Sequence, residues 1–475
     1  MIHVIRQIER RLGRKPGEGR IAARAALLST MLLLLGIGAL LSSRANAQDG
    51  AQDFDPAREA QAMLDALDAG DFATVHARFD STMAAAVSAE QLSQGLGALA
   101  AQVGPLQSRD EPDVRIRDIG ALVTIPLHYE RGELTAIIAF DNERRISGFA
   151  IRPAAPTQAT AVAPVPEDAN YRETELTIGE GENALPATLA MPKDMGRNGK
   201  GQFPAVVLVH GSGPQDRNST IGPNRPLLDI ARGLAERGVA VLRYEKRTRA
   251  HPHQFADGGS IDLETTDDAV AAAALLRGLP DIDAKRVFVL GHSQGGMMAP
   301  RIGARDPQIA GLILLAAPSR PLLDILIEQN RRLAILNDGT VSDAENTAIQ
   351  RLADSVDAIR KGREMTAAQS PMGLSPAYWR SVEAVDAVAE AKAIVQPMLI
   401  LQGARDIQVV DADWQGWKAA FHDTPRVTFK LYETLNHLGI PGEGDGNLQE
   451  YQTPGHVSPE LIADVAAWVA AQSRQ

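Results

Sequence analysis

The sequence predicts an α/β protein: an eight-stranded, mostly parallel sheet covered by helices on both faces and carrying a helical insertion, preceded by a small α+β domain. Three observations point there. From Tyr171 onward, short apolar runs alternate with amphipathic ones, the order of a parallel sheet with helical crossovers. The apolar run Val287-Phe-Val-Leu290 enters Gly291-His-Ser-Gln-Gly295, a G-x-S-x-G turn between strand and helix. Residues 51–152 instead place helical patterns first and strand patterns after them.

The first forty-seven residues read as a targeting segment. A basic stretch (Arg6, Arg10, Arg11, Arg14, Lys15, Arg20, Arg24) precedes an apolar run over 25–41, and Ala45-Asn-Ala47 forms an A-x-A cleavage site. The run is also close to membrane-spanning length, so an uncleaved anchor is the alternative. Either way the bulk of the chain is expected outside the cytoplasm, periplasmic or secreted, and free of the membrane once the signal is cleaved. The segment has a net charge of +6, so removing it takes the chain from −11 to −17. That balance disfavours nucleic acid and anionic membrane surfaces as partners. The chain has no cysteine, which excludes disulfides, a thiolate metal site and cysteine-linked lipid.

Within 51–152 the expected elements are helices over 56–69, 75–87 and 91–103, the last entered through the capping box Ser88-Ala-Glu-Gln91. Strand runs follow over 114–119, 121–129 and 134–140, and a turn at Asp141-Asn142 leads to 146–151. This pattern, with Phe72, Phe79-Asp80, Met83, Leu92 and Gly104, resembles the cone-shaped nuclear-transport-factor-like fold. Residues 153–168 are rich in Ala, Pro and Thr without periodicity and read as a semi-rigid linker.

The large domain is expected over 170–475. Its strands are 171–178 and 185–191 as an antiparallel hairpin, then 205–209, 239–244, the run ending at Leu290, 312–316, 398–402 and 427–432. Helices are expected near 227–237, 264–277, 414–421 and 459–471. Residues 319–396 break the alternation with three helical patterns, 322–335, 343–359 and 376–390, and read as a lid inserted after the sixth strand.

A serine hydroxyl needs a general base, a group that orients the base, and donors for a developing oxyanion. Ser293 sits in the turn. The loop leaving 398–402 carries Asp406, and the loop leaving 427–432 carries His437, so Ser, acid and base follow in order at successive strand ends. Asp411 and Asp413 are alternative acids, and His456, further from the strand end, is an alternative base. His422 is expected on the surface, and His210 and His292 in structural roles. Oxyanion donors are expected from the backbone N–H of Gln294, after the serine, and of Ser212 in His210-Gly-Ser-Gly-Pro214.

These residues, with Ile221-Gly-Pro-Asn224, Leu242-Arg-Tyr-Glu-Lys-Arg247, Leu401-Gln-Gly-Ala-Arg-Asp-Ile-Gln-Val409 and Leu435-Asn-His437, carry a resemblance over 171–475. This part resembles the α/β-hydrolase serine esterases, especially the bacterial carboxylesterases related to dienelactone hydrolases and bile-acid acyltransferase-like thioesterases. The resemblance implies hydrolysis of small-molecule esters with short acyl chains, and no cofactor or metal. A serine peptidase or thioesterase of the same fold is the alternative, with Glu328, Asp343 or Glu364 on the insertion as sites for a peptide's amino terminus. A catalytically dead scaffold is disfavoured because no member of the Ser–Asp–His set is missing.

Overall fold

The computed structural model describes residues 54–117, 120–130, 132–153, 162–193, 201–255 and 258–472. The proposed signal segment and linker residues 154–161 lie outside these. The described residues divide into two compact units, one holding an N-terminal five-stranded sheet and the other an eight-stranded sheet.

The N-terminal unit opens with helices α1 (Pro56–Asp68), α2 (Phe72–Ala77), α3 (Ser81–Ala86) and α4 (Ala89–Val103). Strands β1 (Leu106–Arg109), β2 (Asp113–Arg117), β3 (Gly120–Tyr129), β4 (Gly132–Phe140) and β5 (Ile146–Pro153) follow as an antiparallel sheet. Alternate residues of β3 (Val123, Ile125, Leu127) and β4 (Ala136, Ile138, Phe140) are buried with Ala60, Met63, Leu64 and Leu67 of α1. Period-2 and helical spacing thus meet in one core. The capping box is formed: Ser88 N–H donates to Gln91 Oε1 at 2.8 Å, and Gln91 N–H to Ser88 Oγ at 3.2 Å. Where one helix is expected over 75–87, two are found. The Asp80 carboxylate accepts from Met83 N–H at 2.6 Å and so starts α3 afresh. Strand β1, with one apolar residue, was not anticipated; it exists through backbone pairing with β3.

The large sheet has strands β6 (Tyr171–Ile178), β7 (Leu185–Pro192), β8 (Phe203–Val209), β9 (Ala240–Tyr244), β10 (Ile282–His292), β11 (Leu312–Leu315), β12 (Met398–Gly403) and β13 (Val427–Tyr432). They lie in the order 13-12-11-10-8-9-7-6, with β7 antiparallel to both neighbours and β8 to β13 mutually parallel. Successive residues feed opposite faces. Val207, Val289 and Leu314 join one core, with helices α6 (Asp267–Arg277), α7 (Gln294–Arg305) and α12 (Asp411–Phe421). Val206, Leu208, Phe288 and Leu290 join the other, with α5 (Pro226–Ala235) and α13 (Pro459–Ala471). Strands buried on both faces must read as unbroken apolar runs, which is how they read in the sequence.

Between β11 and β12 stand α8 (Leu322–Asp338), α9 (Asp343–Arg360), α10 (Pro376–Glu383) and α11 (Ala387–Ala393). The single helix expected over 376–390 is divided because Asp386 caps α11, accepting from Ala389 N–H at 2.9 Å. The helix expected over 264–277 likewise has two parts: a π-helical turn, Asp262–Thr266, runs into α6.

Candidate active site

Because β8, β10, β12 and β13 are parallel, the loops that leave them open at one edge of the sheet. Ser293 occupies the turn from β10 to α7 with φ 55° and ψ −121°. A non-glycine residue with positive φ costs about 1–3 kcal/mol and persists only where its surroundings impose it. Here Ser293 N–H donates to Leu315 O of β11 at 2.9 Å, and Ser293 O accepts from Met297 N–H at 3.0 Å as α7 begins. The flanking glycines allow the close approach. A Cβ on Gly291 would stand 2.1 Å from Gly295 O, and one on Gly295 would stand 2.5 Å from His210 O.

Asp406 and His437 meet directly. His437 Nδ1 donates to Asp406 Oδ2 at 2.7 Å, and both residues are buried. Asp406 Oδ1 accepts from the backbone N–H groups of Gln408 (2.8 Å) and Val409 (3.0 Å), and Gln402 Nε2 donates to Oδ2 at 3.3 Å. With a carboxylate as its partner Nδ1 carries the proton, which leaves Nε2 with a lone pair able to accept one. The two loops touch through backbone: Arg405 N–H donates to Leu435 O at 3.1 Å, and a Cβ on Gly403 would stand 2.2 Å from that oxygen.

Three supports of the His437 loop went unread in the sequence. Arg405 donates to Gly444 O (2.6 Å) and Glu443 O (2.8 Å) and pairs with the Glu450 carboxylate. Asn436 Oδ1 accepts from Leu438 and Ile440 N–H while its amide donates to Glu450 at 3.1 Å. His292 Nε2 donates to His437 O at 2.8 Å, which ties the residue before Ser293 to the backbone of His437. Burial, and secondarily the neighbouring His437 imidazole, push the His292 pKa down to about 3, so it stays neutral. The one sequence signal for these supports was the placement of charged and amide side chains beside the two strand ends. Ser293 and His437 themselves make no direct hydrogen bond here; in unliganded hydrolases that contact commonly tightens only with substrate.

Among the alternatives, His456 is exposed and pairs with Asp229 at 3.1 Å. His422 is exposed beside Asp423. Asp413 is fully buried but accepts from Ser319 N–H, Arg320 N–H and the Arg320 side chain, and Asp411 is exposed.

The loop after β8 brings Gly211 against the serine: a Cβ there would stand 3.2 Å from Ser293 Cβ. Gly213 takes φ 84°. Neither Ser212 N–H nor Gln294 N–H has an acceptor among the described residues. Ser212, exposed and next after Gly211, and Gln294, next after Ser293, thus carry N–H groups without a protein acceptor on either side of the strained Ser293 backbone.

Residues 205–443 match the family described as serine aminopeptidase, S33, and residues 60–149 match a family described as protein of unknown function (DUF3887). Esterase EstD of Thermotoga maritima is 32% identical over 390 residues, covering 81% of this chain and 88% of that protein. Among solved structures, a Pyrococcus furiosus esterase aligns over 65% of this chain and 94% of its own, at 15% identity and a TM-score of 0.42. Est1E of Butyrivibrio proteoclasticus aligns over 62% of this chain and 96% of its own, at 16% identity and a TM-score of 0.37. With a family match over half its length and a curated relative alike over nearly its whole extent, the chain belongs to the α/β-hydrolase esterases.

Proposed function

We propose that this hydrolase cleaves carboxylic esters of short acyl chains with Ser293 as nucleophile, His437 as base and Asp406 as its orienting acid. The observation that carries the reading is the strained Ser293 lying beside the unpaired N–H groups of Ser212 and Gln294, at the sheet edge that also holds the His437–Asp406 pair. Ser293 Oγ attacks the ester carbonyl carbon and gives its proton to His437 Nε2. The carbonyl oxygen becomes an oxyanion held by the two N–H groups. Collapse expels the alcohol, which takes the proton from Nε2 and leaves an acyl-Ser293. Water then gives a proton to Nε2 and attacks the acyl carbon; the carboxylic acid departs and the serine is restored.

An ester is favoured over a peptide by the likeness to Esterase EstD, 32% identical over most of both chains. Of the acids that could hold a peptide's amino terminus, Glu328 is paired with Arg320 and Arg332, while Asp343 and Glu364 are exposed, so the substrate panel below is what separates the two activities. Short acyl chains are favoured by Tyr378 and Trp379 of α10. Both are buried, and the Tyr378 hydroxyl lies 3.5 Å from the Gln294 side chain, so large rings occupy space beside the turn. We also infer export, from the basic stretch, the apolar run and the A-x-A site of residues 1–47.

The test pairs fluorophosphonate labelling with a substrate panel. The enzyme should be labelled on Ser293 and hydrolyse p-nitrophenyl acetate and butyrate, but not aminoacyl-nitroanilides. Turnover of the anilides alone would replace the ester reading with a peptidase one.

A further inference from the structure

A buried ion pair lies beneath the serine turn and takes no part in the steps above. Lys246, which follows β9, is 1% exposed, and Glu264 in the π-helical turn is 3% exposed. Lys246 Nζ stands 2.7 Å from Glu264 Oε1 and donates to Gly211 O at 2.6 Å. Glu264 Oε2 accepts from the Tyr378 hydroxyl and, at 3.3 Å, from Gln294 Nε2. Taking two such charges out of water costs several kcal/mol each, and a well-packed apolar pair would often be as stable. Stability is therefore a poor reason for this pair to be here, and π-helical turns recur at functional sites.

The peptide between Gly211 and Ser212 suggests a better one. No described peptide bond is cis, so the Gly211 C=O and the Ser212 N–H lie in one plane and point in opposite directions. Turning that peptide over changes ψ of Gly211 and φ of Ser212, and Gly211, with no Cβ, takes its share at little steric cost. Turned over, it would present a carbonyl dipole to the oxyanion instead of an N–H. The Lys246 ammonium holds the carbonyl on its own side and so leaves the N–H on the other. The next carbonyl, Ser212 O, is held in the same manner by Gln215 Nε2 at 2.9 Å. The adjoining His210 is kept neutral, its pKa driven down to about 3 by burial and by the Lys246 charge, so it does not compete as a cation.

We propose that Lys246 and Glu264 are positioning residues for the oxyanion hole: Lys246 locks the Gly211–Ser212 peptide in its donating orientation, and Glu264 fixes Lys246 while joining it to Gln294 and to Tyr378 of α10. This rests on the assignment of Ser212 and Gln294 as the donors. The pair touches neither substrate nor Ser293 Oγ; it acts through the backbone.

The experiment measures kcat and KM for p-nitrophenyl butyrate, and Ki for a trifluoromethyl ketone that forms a tetrahedral adduct with the serine. The proteins compared are the full-length enzyme, Lys246→Met, and the double variant Lys246→Met/Glu264→Gln. The double variant leaves no unpaired buried charge, and it serves if Lys246→Met alone fails to fold. In whichever variants fold by circular dichroism, kcat should fall by about 10²–10³-fold with KM changed less than about threefold, and the ketone Ki should rise in parallel with the loss in kcat/KM. A folded variant with wild-type kcat, or with its loss confined to KM, overturns the proposal. Ser293→Ala is run alongside: an active Ser293→Ala protein would overturn the nucleophile assignment itself, a different failure from an active Lys246 variant.

Discussion

His437 and Asp406 are joined by a 2.7 Å hydrogen bond whose acceptor is itself fixed by two backbone N–H groups from its own loop. The carboxylate cannot rotate to follow the imidazole, so the imidazole takes the orientation the acid dictates. His437→Ala should then abolish turnover as fully as loss of the serine, whereas Asp406→Asn should cut kcat by about 10⁴ and leave measurable activity. His456→Ala, with its exposed ring paired to Asp229, should stay within twofold of wild type. Initial rates on p-nitrophenyl acetate decide this, and an inactive His456→Ala beside an active His437→Ala would transfer the base to the other loop.

Ser293→Ala should remove roughly 10³–10⁶-fold in kcat while leaving the fold intact, because the donors and the binding surface do not depend on the hydroxyl. The strain at φ 55° remains in the variant, since alanine also carries a Cβ, so its melting temperature should change little. Thermal melts and steady-state kinetics on one preparation check both halves.

How much of this was legible in the sequence follows from which physical signals are local. Strands such as β8 and β10, buried on both faces, announce themselves as apolar runs, and the G-x-S-x-G turn is written in glycines where a Cβ would stand 2.1–2.5 Å from a backbone oxygen. Asp406 and His437, which meet in the structure, could be singled out as candidates because each lies a few residues past a readable strand. The supporting contacts could not. Lys246 reaches Gly211 across 35 positions, Tyr378 reaches Glu264 across 114, and His292 reaches His437 across 145. No periodicity spans such separations. Helix breaks at Asp80 and Asp386 were missed for another reason: a capping aspartate inside an otherwise helical pattern looks like one more polar-face residue until its carboxylate is seen on a backbone N–H.

Acid should unfold this enzyme early. His210 and His292 are buried and neutral, each with its pKa lowered from 6.5 to about 3. Between those values the unfolded chain binds protons that the native state does not, so stability is fully present above about pH 6.5 and declines as pH falls towards 3. At pH 5 each histidine should cost ~2 kcal/mol relative to pH 8. Urea midpoints at the two pH values test this. His292→Asn should flatten the decline by about one histidine's share; an unchanged midpoint at pH 5 in the wild type would show that both rings protonate in the native state.

Arg405 should matter to activity more than to folding. Its guanidinium bridges the Gly444 and Glu443 carbonyls and Glu450, closing the segment that begins at His437. A lysine ammonium cannot make that fork. Arg405→Lys should lower kcat about 10- to 100-fold by letting His437 drift, since misplacement by about 1 Å can cost 10²-fold. The kcat loss should exceed any change in KM. A lowered melting temperature with normal kcat would make Arg405 purely structural.

Acyl-chain length is where α10 should declare itself. Tyr378 and Trp379 are buried, with ring centroids 5.2 Å apart, and the Tyr378 hydroxyl is committed to Glu264 and Gln294. A ring held this way cannot swing aside without leaving a buried carboxylate short of a donor, a penalty of about 1–3 kcal/mol. Each further methylene of acyl chain gains at most ~0.8 kcal/mol on burial, so two or three methylenes would be needed merely to offset displacing the ring. The kcat/KM profile over p-nitrophenyl esters from acetate to palmitate should therefore peak between about two and six carbons. Tyr378→Phe removes the hydroxyl tether but keeps the ring, and should move the peak to longer chains while lowering kcat for acetate. A wild-type maximum at the palmitate end would mean that the acyl chain leaves the site by a route these two rings do not border.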